Sequence, residues 1–149
     1  MNILITGSAG FIGYHLTKKI LNKKIKVIGL DNINSYYDTN LKKNRIRELK
    51  KNKKFFFYNI DICEFRKLNN LILKKNIKII IHLAAQAGVR YSIKNPRTYF
   101  DSNLQGFFNI LETSRLNNIK HLIYASTSSV YGDTKKFPLS EKDSTDYPL

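Results

Sequence analysis

The sequence predicts an α/β protein built on a doubly wound parallel sheet with strand order 3-2-1-4-5. Three observations point there. Short apolar, β-branched runs alternate with longer stretches of helical period, the rhythm of βαβ units. The runs are almost uninterrupted in apolar residues, as strands covered on both faces by helices must be. A glycine-punctuated turn, Gly7-Ser8-Ala9-Gly10-Phe11-Ile12-Gly13, joins the first run to the first helical stretch. With right-handed crossovers, five such strands arrange themselves around a central switch point.

The elements follow in order. Asn2 to Thr6 is the first strand. The period from Phe11 to Asn22 predicts a helix with Ile12, Leu16, Ile20 and Leu21 on one inward stripe. Lys26 to Leu30 is the second strand and ends at Asp31. Asn32 to Asn40 is polar and aromatic, hence a loop, and Leu41 to Lys51 reads as a basic helix. Phe55 to Ile60 is the third strand, closed by Asp61. Phe65 to Lys75 is a helix with Leu68, Leu71 and Ile72 inward. Lys78 to Leu83 is the fourth strand, followed by a small-residue turn. Pro96 suits the first position of a long helix reaching about Leu116, with Phe100, Leu104, Phe107, Phe108 and Leu111 expected inside. His121 to Ala125 is the fifth strand, and polar loop follows to Tyr147-Pro148-Leu149.

Composition narrows the function classes. Apolar residues at 42% and charged residues at 25% suit a globular domain with its own core. No apolar run approaches the ~20 residues of a membrane span. The first residues lack the basic segment and long apolar stretch of a signal peptide, so the cytoplasm is the expected location and no membrane partner is expected. The lone cysteine, Cys63, offers neither a disulfide nor metal-ligand spacing, and His15, His82 and His121 do not cluster. No metal is expected. The net charge of +15 raises nucleic-acid binding. The lysines are scattered along the chain, however, without an interleaved aromatic-basic face. They read as solvated charge, and no nucleic-acid partner is expected.

The glycine turn lies where a dinucleotide fingerprint belongs. There the first glycine permits the tight turn and the second lets backbone approach a pyrophosphate. The third lets helix pack on strand, and the helix N-terminus supplies N–H donors and partial positive charge. The spacing is Gly-x-x-Gly-x-x-Gly. Asp31 follows Gly7 by 24 residues, at the end of the second strand, where a carboxylate can hold the adenosine ribose hydroxyls. It would repel a 2′-phosphate, so NAD is expected in preference to NADP. Capping of the following loop is the alternative role for Asp31.

Three further segments complete a pattern. Asp61-Ile62 closes the third strand. His82-Leu83-Ala84-Ala85-Gln86-Ala87-Gly88-Val89-Arg90 follows the fourth, and Tyr124-Ala125-Ser126-Thr127-Ser128-Ser129-Val130-Tyr131-Gly132 follows the fifth. With the glycine turn, these resemble the extended short-chain dehydrogenase/reductase family of nucleotide-sugar enzymes, which have a Rossmann-type NAD-binding domain. The stretches Leu30 to Asp38 and Ala85 to Ser92 look most like UDP-glucuronate 4-epimerases.

The resemblance implies roles residue by residue. Gly7, Gly10 and Gly13 form the cradle, and Phe11 and Ile12 give backbone N–H groups to the NAD pyrophosphate. Asp31 and Asn32 hold the adenosine ribose, and Asp61 and Ile62 flank the adenine. Leu83, Ala84, Ala85 and Gln86 line the nicotinamide side together with Ser126, and Asn103 on the long helix faces it. Thr127 matches the catalytic Ser/Thr. Ser128, Ser129 and Arg90 are placed to meet a UDP-sugar, including its anionic groups. Bland alternatives stand beside these: Asp61 as a helix N-cap, Arg90 as a solvated cation, the Ser/Thr run as loop chemistry.

The chemistry implied is transient oxidation of the sugar at C4 by NAD, rotation of the 4-keto sugar, and return of hydride to its other face. In the family a Tyr-x-x-x-Lys pair serves as base. Tyr131 and Lys135 match that spacing but lie in the fifth-strand loop and not on the following helix, and Tyr147 has no fourth following residue. We therefore expect residues 1–149 to be an incomplete NAD-binding domain, truncated after strand five. The pair, the later strands and the substrate-binding domain would lie beyond Leu149. The fragment alone would be inactive, and its full-length parent a homodimer pairing the long helix with the next one. A non-catalytic NAD-binding module and a basic nucleic-acid-binding domain are the two other classes, and within the enzyme class a related UDP-sugar epimerase or decarboxylase is the alternative.

Overall fold

A computed structural model describes residues 2–146 and 148; Met1, Tyr147 and Leu149 lie outside the described residues, and with them the tyrosine–lysine question at Tyr147. Five strands pair in parallel in the order β3-β2-β1-β4-β5: β1 (Asn2–Thr6), β2 (Lys26–Asp31), β3 (Phe55–Asn59), β4 (Ile77–His82) and β5 (His121–Tyr124). Strand residues alternate between faces, and the two cores divide accordingly. Ile3, Ile5, Val27 and Ile81 pack with Tyr14, Leu21, Ile46 and Leu49 on one face. Leu4, Ile28, Leu30 and Ile80 pack with Leu68, Leu71, Ile72 and Ile110 on the other. Helices α1 (Phe11–Asn22) and α2 (Thr39–Leu49) cover the first face, and α3 (Phe65–Lys74) and α6 (Phe107–Leu116) the second.

The register sets up the site. Thr6 pairs with Leu30 on one side and with His82 on the other, so the carboxyl ends of β1, β2 and β4 finish level. The turn after each strand therefore opens on the same crevice, the switch point of a doubly wound sheet.

Three expectations are corrected. Ile12, placed on the inward stripe of α1, is 63% exposed, and the buried face of that helix is Gly13, Tyr14, Thr17 and Leu21. The stretch after β4 is not a simple turn, because α4 (Val89–Lys94) forms there. The long helix begins with Pro96 in its first turn, yet it is built of α5 (Pro96–Tyr99), a π-helical segment at Phe100–Gly106, and α6. Wider π turns break the 3.6-residue period, so the apolar stripe cannot be carried through them. Phe100, Leu104, Phe108 and Leu111 all face outward. The inward face is Gly106, Asn109, Ile110 and Thr113. Asn109 reaches it by donating to the Ile62 carbonyl (2.9 Å), and Thr113 by donating to the Asn109 carbonyl (2.7 Å).

Part of the charge is explained by the edge strand. β3 carries four aromatic residues, and lysines lie over three of their rings: Lys26 over Phe56, Lys50 over Phe57 and Lys75 over Tyr58, at 4.7, 5.7 and 5.4 Å. Lysines on an exposed edge cover apolar rings with their stems and keep charge in water, which disfavours edge-to-edge pairing. Among the described residues, no helix is long and apolar enough to cross a membrane.

Candidate functional site

The crevice starts at the glycine turn. Gly7 has φ +69°, and a Cβ there would sit 2.8 Å from Leu83 and Ala84 backbone. A Cβ on Gly13 would stand 2.1 Å from the Gly7 carbonyl oxygen, so only glycine lets α1 start this close to β1. Gly10 differs: a Cβ would meet only the Gly7 oxygen, at 3.0 Å, and its open side is the crevice. The first and third glycines shape the turn, and the middle one leaves room. No side chain caps α1 at its N-terminus. Among the described residues the N–H groups of Phe11, Ile12 and Gly13 meet no acceptor, although the neighbouring Ala9, Gly10 and Tyr14 N–H groups are satisfied. A row of free donors at the positive end of a twelve-residue helix suits a pyrophosphate. The exposed side chains of Phe11 and Ile12 flank it.

Asp31 ends β2 with 8% of its surface exposed. One carboxylate oxygen accepts from Ala9 N (3.1 Å), the other from Ile33 N (2.9 Å). Loop capping is thus real, and each oxygen keeps a further lone pair for a ligand. Asn32 donates its amide to Asp61 (2.7 Å), which also accepts from Cys63 N (2.8 Å). Burial opposes ionisation of Asp61, but these two donors outweigh it and hold the carboxyl below the usual aspartate range. Asp61 is not the N-cap of α3; that position is Glu64, whose N–H donates to the Asp61 carbonyl (2.9 Å).

One cleft has walls that include Gly7, Gly10, Asp31, Asn32, Asp61, Ile62 and Leu83 through Gln86. Leu83 through Gln86 also form one wall of an adjoining cleft, shared with Asn103, Ser126 and Thr127. The amide of Asn103 grips the Gln86 backbone at both ends, accepting from its N–H (2.8 Å) and donating to its carbonyl (2.9 Å). Thr127 is exposed, and its hydroxyl accepts from Ser129 N (3.2 Å) at the start of a 3₁₀ turn, Ser128–Tyr131. Ser128 and Ser129 belong to that turn and Arg90 to the exposed first turn of α4; none of the three lines either cleft. Tyr131 lines a separate surface pocket with Lys136 and Asp143.

Sequence reasoning missed several members. Asn34, Tyr36, Tyr37 and Lys42 line the first cleft. Thr6 and His82 are buried behind the Leu83–Ala84 wall, His82 lining the adjoining cleft: the Thr6 hydroxyl oxygen accepts from Leu83 N and Ala84 N (both 3.1 Å) and lies 2.8 Å from His82 Nδ1. With its lone pairs used, that hydroxyl donates, so Nδ1 is the acceptor of a neutral ring. Burial pushes the His82 pKa down to about 4. An unfolded histidine titrates near ~6.5, so between these values the unfolded chain binds the proton more readily. The resulting stability is full above pH ~6.5 and is lost as pH falls toward 4, by roughly 3 kcal/mol. Thermal melts should show it. The wild type should lose about 6–12 °C more than His82→Asn across that window; parallel losses would contradict the assignment.

With this geometry in view, comparison with known proteins is decisive. A family model described as GDP-mannose 4,6 dehydratase matches residues 4–148. The chain belongs to that family. The matched residues include the glycine turn and the three strand-end segments that carry the resemblance to the extended short-chain dehydrogenase/reductases. Protein CapI of Staphylococcus aureus is 50% identical over 149 residues, covering 100% of this chain and 44% of that protein. A UDP-glucuronate 4-epimerase of Thermodesulfobacterium geofontis is 44% identical over 98% of this chain and 45% of its own length. The crystal structure of a UDP-glucuronic acid 4-epimerase from Bacillus cereus, in complex with UDP-glucuronic acid and NAD, superposes with a TM-score of 0.85. It is 36% identical and covers 100% of this chain and 46% of that one. The chain thus spans less than half the length of each of these relatives.

Proposed function

We propose that this chain is the NAD-binding N-terminal part of a nucleotide-sugar 4-epimerase, acting on UDP-glucuronate to give UDP-galacturonate through a transient 4-keto sugar. One observation carries the cofactor half. Gly10, the N-cap of α1 beside its free N–H row, and the Asp31 carboxylate line one cleft, which supports an anion site and a hydroxyl site side by side as a dinucleotide requires. When bound, NAD supplies a hydride acceptor that returns the hydride in the same turnover.

The chain's residues do the positioning. Phe11 and Ile12 N–H hold the pyrophosphate, Asp31 and Asn32 the adenosine ribose, and Asp61 and Ile62 the adenine edge. Leu83 through Gln86, kept in place by Thr6 and Asn103, wall the nicotinamide side with Ser126. Thr127 hydrogen-bonds the reacting sugar oxygen, while Ser128, Ser129 and Arg90 meet the sugar and its anionic groups. For the last three the substrate must bridge from the cleft to residues that do not line it. The sugar specificity draws on the epimerase relatives. The outward row Phe100, Leu104, Phe108 and Leu111 supports helix pairing in a homodimer of the parent protein.

The base is expected beyond these residues: Tyr131 lines neither cleft but a separate surface pocket, which argues against the Tyr131–Lys135 spacing as that pair. The 149 residues alone are expected to be inactive. Incubation with NAD and UDP-glucuronate, followed by separation of the sugar nucleotides, should leave UDP-glucuronate unchanged. UDP-galacturonate formed at enzyme-like rates would contradict this.

A further inference from the structure

Helix α2 carries a lysine where its neighbours are core. Lys42, Ile46 and Leu49 share one face and are 4%, 6% and 3% exposed. A lysine buried to this degree ordinarily has an ion partner. Among the described residues, no carboxylate lies within 4 Å of Lys42 Nζ. Its ammonium donates to both oxygens of Asn34, the carbonyl at 2.8 Å and the amide at 2.7 Å, and lies 4.2 Å from the centre of the Tyr37 ring. An ammonium has three N–H groups, so one is left with no oxygen or nitrogen acceptor, only the face of the Tyr37 ring beside it. Lys42 lines the same cleft as Asp31, Asn32 and Asn34.

We propose that Lys42 is a ligand-contacting residue of this cleft, its third N–H donating to a hydroxyl of the ribose that Asp31 holds. The inference rests on the dinucleotide reading of the cleft. The pairing of groups selects the ligand chemistry. Asp31 can only accept and Lys42 can only donate; a hydroxyl does both at once, donating to the carboxylate and accepting from the ammonium. A phosphate would satisfy Lys42 but meet Asp31 as like charge. Burial also holds the Lys42 pKa below the ordinary lysine value, against the pull of Asp31, the mark of an under-solvated cation. Lys42 also ties down the Asn32–Asp38 loop through Asn34, so a purely structural role must be separated from contact.

A double-mutant cycle separates them. NAD and its 2′-deoxy and 3′-deoxy adenosine analogues are titrated calorimetrically into the wild-type chain, Lys42→Met and Lys42→Gln, with circular dichroism reporting the fold. We expect Lys42→Met to weaken NAD at least tenfold. For one of the two deoxy analogues the same substitution should cost twofold or less, because the hydroxyl it contacts is already gone. Lys42→Gln, a neutral side chain that can still donate, should show the same coupling at reduced size and serves if the methionine variant does not fold. Equal penalties for all three ligands, or none, would overturn the contact while leaving the cofactor reading intact. Failure of the wild type to bind NAD would overturn both.

Discussion

Gly13→Ala is expected to destabilise the chain by about 3 kcal/mol or more, lowering the melting temperature by roughly 6–12 °C or preventing folding. The added Cβ would stand 2.1 Å from the Gly7 carbonyl oxygen, 2.8 Å from its carbon and 3.0 Å from the Ser8 Cα. All three are backbone atoms of a turn already fixed by the Gly10 N–H to Gly7 carbonyl bond (3.0 Å). They have no rotamer to yield. Gly10→Ala is the informative contrast. Gly10 has extended dihedrals that alanine tolerates, and its Cβ meets only the Gly7 oxygen, at 3.0 Å. It should fold with little loss, yet place a methyl group where the pyrophosphate approaches, weakening NAD. Thermal melts read the first effect and calorimetric titration the second. A Gly13→Ala chain as stable as wild type would contradict the close-approach argument.

Asp31→Ala is expected to raise the NAD dissociation constant between about tenfold and a hundredfold, the range of one lost hydrogen bond to a charged group. It should also cost about 1–3 kcal/mol of stability, because Ala9 and Ile33 N–H lose their acceptor. Asp31→Asn keeps an acceptor for one of these donors and should recover part of the stability without restoring affinity. NADP should gain relative to NAD in both variants, since the carboxylate that repels a 2′-phosphate is removed. Unchanged NAD affinity in a folded Asp31→Ala chain would place the ribose elsewhere.

How much of this was legible depended on the kind of signal. The strands were, because runs such as Lys78-Ile79-Ile80-Ile81 have no other stable place than a sheet covered on both faces, and the order 3-2-1-4-5 followed from their rhythm. The glycine turn and Asp31 were, because spacing and strand position coincide. The inward face of the long helix was not. It is made by Asn109 and Thr113, which enter the core through their own hydrogen bonds, and it follows a π segment that shifts the period. Reading large apolar residues as inward therefore turned Phe108 and Leu111 the wrong way. Lys42 was hidden by number. Among 26 lysines and arginines its burial had one trace in the sequence, a position four and seven residues before Ile46 and Leu49 on one helix face. The His82–Thr6 contact left none, because both residues close strands 76 positions apart and only the register brings them level.

The central claim is that the crevice at the carboxyl ends of β1, β2 and β4 binds NAD. An amide-resolved NMR titration of the ¹⁵N-labelled chain with NAD tests it most directly. The account requires saturable one-to-one shifts concentrated at Gly7 to Gly13, Asp31 and Asn32, Asp61 and Ile62, and Leu83 to Gln86. Absence of saturable shifts in a folded chain, or saturable shifts confined to the lysine-covered β3 edge, would contradict it.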